Sequence, residues 1–281
     1  MKLPVNPNSQ PQAKSRSGFT LPTQKSEPID TIEKAIMLLY GERKIGKTSL
    51  ASRFTDAFFL MFEPGGSGLS IYQQDIADWN MFCEFVDLLQ EQTDFYRTIV
   101  IDTIDIAYEK CMEYVCKREG FGHPSDKEVG FGKGWKLVDT EFKKQMTRLL
   151  QTGRGTVFVS HAHTKEFQAM SGPKFDKLVP TMGTQAARYI IGLADILAYY
   201  GYYGEERFLT IRGSDSVECG HRLRENFWVE DRSERVHSIP MGKDEDEAYA
   251  NFMLAFNNKQ QTNGKPEDET GMKERAVKMG K

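Results

Sequence analysis

The run Gly41-Glu42-Arg43-Lys44-Ile45-Gly46-Lys47-Thr48 constrains this chain more than any other feature. It fits G-x-x-x-x-G-K-[ST], the pattern of a loop that wraps phosphate oxygens with its own N–H groups. Such a loop works only between a buried strand and a helix. Both flanks comply. Ala35-Ile36-Met37-Leu38-Leu39-Tyr40 is an apolar strand candidate, and the segment from Lys47 is compatible with a helix. The glycines let the backbone approach the ligand closely. Lys47 can reach the terminal phosphates, and the Thr48 hydroxyl can hold Mg²⁺. Gly41 to Thr48, with Ser49 behind them, are therefore read as the phosphate-binding residues of a nucleoside triphosphate site, with ATP and Mg²⁺ as cofactors.

A phosphate cradle needs an acid at the end of a neighbouring strand. Thr98-Ile99-Val100-Ile101-Asp102 supplies it: four β-branched residues, then a carboxylate where ligands bind in open α/β sheets. Asp102 is expected to complete the Mg²⁺ shell with Thr48. Asp105 is expected to cap the next helix. A second apolar run, Ala57 to Phe62, ends in Glu63 before Pro64-Gly65-Gly66. That places Glu63 as the group orienting attacking water. A third, Thr156 to Ser160, leads into His161-Ala162-His163. Ser160 and His161 are read as γ-phosphate sensors. A metal reading of the His-x-His pair lacks a third ligand.

Strand candidates alternate with helix candidates along the middle of the chain. The helices are Lys47–Phe54, Trp79–Gln90, Ile104–Arg118, Trp135–Thr152, Thr184–Gly192 and Asp244–Phe256. Further strands are Ile196–Tyr200 and Arg207–Arg212. Runs that are apolar throughout belong to strands buried on both faces. The fold class follows: α/β, a mainly parallel twisted sheet with helices on both faces. Residues 32–256 form the core. Residues 1–31 and 257–281 are polar, without apolar periodicity, and are expected to be disordered tails.

The ordered set resembles a known family. The P-loop, Phe62-Glu63-Pro64-Gly65-Gly66, Thr98-Ile99-Val100-Ile101-Asp102-Thr103, Val159-Ser160-His161 and Ala194-Asp195-Ile196 look like phage-type P-loop ATPases of the RecA-like superfamily. That group includes single-strand annealing proteins with a minimal recombinase core. The similarity runs from about Ile32 to Arg224, and the glutamate after the second strand points to the RecA-like branch. By the resemblance, Lys47, Asp102 and Glu63 carry catalysis, and Ser160 and His161 sense the γ-phosphate. The recombinases have a glutamine there. The resemblance implies action in DNA recombination or repair and contact with single-stranded DNA through the loop 165–185. There Phe167 and Phe175 would stack on bases and Lys174, Lys177 and Arg188 would meet phosphates. The glycine-rich stretch 120–134 is a second strand-contacting loop or a lid. A homo-oligomer is implied, with Arg212, Arg222 or Arg224 reaching the next subunit's phosphates.

Composition bounds the alternatives. A net charge of −3 argues against a protein that only coats nucleic acid. Four cysteines without C-x-x-C spacing read as reduced packing residues and fit a cytoplasmic setting. No stretch is apolar enough to span a membrane. A GTPase would need N-K-x-D, yet Asn258-Lys259 is followed by Gln260-Gln261. A P-loop kinase, or a nucleotide-dependent scaffold or loader with slow hydrolysis, are the alternatives to a DNA-dependent ATPase.

Overall fold

The computed structural model describes residues 15–16, 19–92, 95–168 and 172–263. After a short two-stranded ladder at residues 15–20, strand β1 (Ile36–Gly41) runs into the loop that precedes helix α1 (Lys47–Ala51). Next come β2 (Ala57–Met61), β3 (Tyr72–Asp75), α2 (Trp79–Glu91), β4 (Thr98–Asp102), α3 (Ile104–Glu119) and α4 (Lys133–Leu150). A long strand β5 (Gly155–Gln168) forms a hairpin with β6 (Lys174–Pro180). The rest is α5 (Thr184–Leu193), β7 (Ile196–Tyr203), β8 (Glu206–Thr210), β9 (Gly220–His221), β10 (Ser238–Pro240) and α6 (Glu245–Phe256).

One sheet joins them in the order β10-β8-β7-β1-β5-β4-β2-β3, with β9 on β7 and β6 on β5. Strands β7, β1, β5, β4, β2 and β3 are parallel to one another, and β8, β10, β9 and β6 pair antiparallel. This is the mixed α/β architecture expected, mostly parallel and covered on both faces. The pleat divides β1 between two cores. Met37 and Leu39 join α1 and α6, whereas Leu38 and Tyr40 face α2, α3, α4 and α5. That double burial is why the strand is apolar at every position. Asp78 caps α2 by accepting the Met81 N–H, and Asp244 caps α6 by accepting that of Glu247. Phe252 and Phe256 then clasp α6 against Phe227, while Phe252 also meets Phe54 behind α1. Each such buried ring contributes about 1.5–3 kcal/mol.

Three expectations are corrected. Strand β3 was not foreseen: Tyr72-Gln73-Gln74-Asp75 is a polar, largely exposed edge strand. The segment 165–185 is not a loop, because β5 continues to Gln168 and pairs with β6 residue by residue. The core also extends past Phe256. Gln260 is buried, bridges Val229 and donates to the Ser238 carbonyl at 3.2 Å, and Asn263 accepts from the His237 N–H at 2.7 Å. At the other end Ile29 already packs on the core. Among the described residues of the first tail, Ser15–Arg16 pairs with Phe19–Thr20; residues 1–14, 17–18 and 264–281 of the two expected tails lie outside the described residues.

Gly41 shows why the turn out of β1 must be glycine. A Cβ there would stand 2.0 Å from the Tyr200 carbonyl oxygen, and neither strand can withdraw, since Gly41 is paired with both Tyr200 and His161. Substituting Gly41→Ala is expected to cost about 2–3 kcal/mol of stability. Thermal unfolding should then show a midpoint lower by roughly 4–12 °C. An unchanged midpoint would contradict this close approach.

Candidate functional site

The P-loop lies at the carboxyl ends of the parallel strands. Gly46, in the left-handed region at φ 107°, turns the chain into α1. Arg43, Lys44, Gly46, Lys47, Thr48 and Ser49 line a cavity of about 560 Å³. Glu63, Asp102, Thr103 and His161 close its other side. Ile45 turns its side chain into the core, so only its backbone can serve a ligand. The Glu42 carboxylate accepts from the Tyr199 hydroxyl at 3.4 Å, away from the cavity lining.

Lys47 is buried and donates to the carbonyls of Gly41 at 3.1 Å and Glu42 at 2.7 Å. Burial pushes its pKa down, and the charges of Asp102, Asp105 and Glu63 oppose that. Asp102 shows the mirror effect. Burial raises its pKa, against the hydrogen bond from Thr48 and the charge of Lys47. The Thr48 hydroxyl donates to Asp102 Oδ2 at 2.6 Å, joining the two expected Mg²⁺ ligands directly. These residues fit the ion. A buried carboxylate whose charged form is disfavoured gains from a cation, and Mg²⁺ needs only one or two protein oxygens besides phosphate and water. Among the described residues no cluster of three His, Cys, Asp or Glu could hold a metal alone.

Glu63 leaves β2 beside the end of β4. The Phe62 N–H donates to the Asp102 carbonyl at 2.6 Å, and the Thr103 hydroxyl donates to Glu63 Oε1 at 2.7 Å. The Glu63 carboxylate thus has one fixed bond, and the residue lines the cavity. His161 also lines the cavity, with Nδ1 3.0 Å from Asp105 Oδ2 and Nε2 3.7 Å from Glu63 Oε1. Two sequence expectations change here. Ser160 does not reach the cavity: it is fully buried beside Tyr40 on the other face of the sheet, and its hydroxyl donates to the His161 carbonyl at 3.2 Å. Asp105 does not cap α3. Thr103 is the capping residue, its hydroxyl turned to Glu63 and not to the helix N–H groups, and Asp105 in the first turn is aimed at His161. The role of Thr103 was missed, although its position next to Asp102 could have suggested it.

A second cavity of about 860 Å³ adjoins the P-loop through Lys44, Gly46 and Ser49. Tyr202, Arg207, Lys243 and Asn251 line its far side. Of the three arginines considered for action between subunits, Arg212 meets His237 at 2.9 Å and Arg224 is exposed. Arg222 donates to the carbonyls of Gly192 and Ala194 near Asp195. Asp195 accepts the Ile36 N–H at the start of β1, so Arg222 lies at the end of the sheet opposite the cavity.

The β5–β6 hairpin has two unlike faces. Phe167 stands opposite Phe175 with ring centroids 5.9 Å apart, Lys165 opposite Lys177, and His163 opposite Val179. The reverse face pairs Glu166 with Asp176, and Lys174 is bound to Glu166 at 2.7 Å. So Lys177 shares the aromatic face, but Lys174 does not. Arg188 of α5 joins Lys165 and Phe167 around a groove of about 430 Å³. The stretch 120–134 carries a 3-10 turn at Lys127–Val129 and a fully exposed Phe131. Trp135 anchors its end through Ser125 at 2.8 Å. Among the described residues no helix is long and apolar enough to cross a membrane.

Comparison with known proteins agrees with this geometry. A family model described as an AAA domain matches residues 33–223, which include every residue lining the phosphate cavity. The SPbeta prophage-derived uncharacterized protein YorG of Bacillus subtilis (strain 168) is 28% identical over 153 residues, 53% of this chain. The match covers 47% of that relative, so the chain spans about half its length.

Proposed function

The chain belongs to the AAA domain family, and on that premise we propose that it is a Mg²⁺-dependent ATPase of RecA-like type acting in phage DNA recombination or repair. Its ATP binding is supported by the family, and the prophage-derived relative supports a phage setting. One observation carries the catalytic reading: Lys47, the Thr48–Asp102 pair and Glu63 converge on one cavity. An incoming triphosphate exchanges the Gly41 and Glu42 carbonyls around Lys47 for its own oxygens. Thr48 and Asp102 would hold Mg²⁺, which when bound would supply neutralisation of charge developing on the phosphates. Glu63, steadied by Thr103, orients water in line with the γ-phosphate. The second cavity has room for the nucleoside end.

The hairpin supports binding of single-stranded DNA. Like charges directly opposite each other destabilise a sheet, and a phosphodiester between Lys165 and Lys177 removes that penalty. Stacked aromatic rings beside them offer a base platform without sequence preference. Because β5 carries both His161 and this face, nucleotide occupancy and strand binding act on one element. A homo-oligomer on the strand completes the proposal.

Phosphate release with ATP or GTP, with and without single-stranded DNA, tests it. ATP is expected to be preferred and DNA to raise turnover about tenfold or more. The double substitution Lys165→Glu, Lys177→Glu should abolish the stimulation. It should also flatten the salt dependence of DNA affinity by roughly 0.7 log units per lost contact. A phosphorylated small molecule in place of free phosphate would identify a kinase. Slow hydrolysis indifferent to DNA would identify a loader.

A further inference from the structure

Glu63 and His161 stand side by side in the wall of the phosphate cavity, and buried Asp105 backs His161, so α3, β5 and the end of β2 bring together an acid–imidazole–acid array. An Asp carboxylate only accepts hydrogen bonds, so the His161 Nδ1 facing it at 3.0 Å carries the proton. On its other side the ring turns Nε2 toward Glu63 Oε1. The separation is 3.7 Å, an ion-pair distance longer than a hydrogen bond. Catalytic contacts of this kind commonly tighten once substrate is bound. Asp105 is buried, and its other oxygen, Oδ1, has no partner among the described residues. A buried acid with half its acceptors unmet is costly unless it serves a charge. The other charged groups around the array are Asp102 at the end of β4, Lys47 of α1, and Arg43 and Lys44 of the loop, which line the same cavity.

We propose that the His161–Asp105 pair is a positioning and proton-accepting relay behind Glu63; this rests on the hydrolytic reading above. In the step, the O–H bond of water breaks with its electron pair kept on oxygen. That oxygen bonds to the γ-phosphorus while the bond to the bridging oxygen breaks, its pair leaving with ADP. The proton passes to Glu63 and from Glu63 Oε1 to His161 Nε2. Asp105 holds the imidazolium until the proton leaves with product or solvent. Glu63 is thereby restored as a carboxylate before the next turnover. Thr103, donating to the same Oε1, keeps that oxygen facing His161.

The test compares wild type with His161→Ala, His161→Gln and Asp105→Asn, measuring nucleotide affinity and single-turnover phosphate release separately. Both His161 variants should bind ATP within about threefold of wild type and hydrolyse it about ten- to a hundredfold more slowly. Glutamine can support Glu63 sterically but cannot take up a proton at neutral pH, so it should not restore the rate. Added imidazole should accelerate His161→Ala, because the ring site opens on the cavity, and should not accelerate Glu63→Gln. Hydrolysis by His161→Gln within threefold of wild type overturns the relay. So does a slowed His161→Ala that imidazole leaves unchanged. If His161→Ala fails to bind nucleotide, His161→Gln decides alone. A wild-type chain that binds ATP and releases no phosphate overturns the hydrolytic reading and the relay with it. Failure confined to the variants condemns the relay only.

Discussion

Replacing Lys47 by alanine is expected to weaken ATP binding by at least about a hundredfold. The ammonium is buried at the foot of the cradle, already stripped of water, so the phosphates meet it at little further desolvation. Hydrogen bonds to charged partners contribute about 1.5–3 kcal/mol each. The loss of two such bonds to phosphate, at 1.4 kcal/mol per decade, exceeds a hundredfold. Removal also deprives Asp102 of a neighbouring positive charge, which disfavours the carboxylate form needed for the metal. Titration with a fluorescent ATP analogue in Mg²⁺ measures the effect. An affinity within threefold of wild type would remove Lys47 from the site.

Glu63→Gln separates binding from chemistry. The amide oxygen can still accept from Thr103, so the loop after β2 should keep its place. What disappears is the capacity to take a proton from water. General-base assistance is typically worth 10²–10⁴-fold. Turnover is therefore expected to fall by about that much while ATP affinity stays within about threefold. Rapid-quench measurement of one turnover isolates the step. Hydrolysis within tenfold of wild type would mean that another group handles the water.

That the loop after β1 and the acid ending β4 would meet was legible because the signal for each is local. A glycine pattern after an apolar run, and an acid ending a β-branched run, need no knowledge of distant partners. Glu63 was legible on the same grounds. The placement of Ser160 and His161 was only half readable. Ser160 and His161 are adjacent, so the pleat sends them to opposite faces, and which one meets the cavity depends on the register of β5 against β1. The true partner of Asp105 lies 56 residues away, beyond any capping rule. The edge strand β3 and the outer part of the β5–β6 hairpin were hidden by polarity, since they are held by main-chain ladders while Leu178 and Val179 near the end of β6 reach the interior. The segment after Phe256 was hidden likewise. Its polar side chains donate to main-chain carbonyls of the core, Asn258 to that of Glu225 and Gln260 to that of Ser238.

The bonds that Lys47 and Thr48 make within the protein shape what the cradle can recognise. Each is matched already, Lys47 by two carbonyls and Thr48 by Asp102, so a ligand enters by substitution. A lone orthophosphate would trade one set of contacts for another of similar worth and gain little. Only a polyphosphate long enough to satisfy the lysine, the loop N–H groups and a metal ion together comes out ahead. On the proposed reading, these internal bonds would select polyphosphates over single small anions.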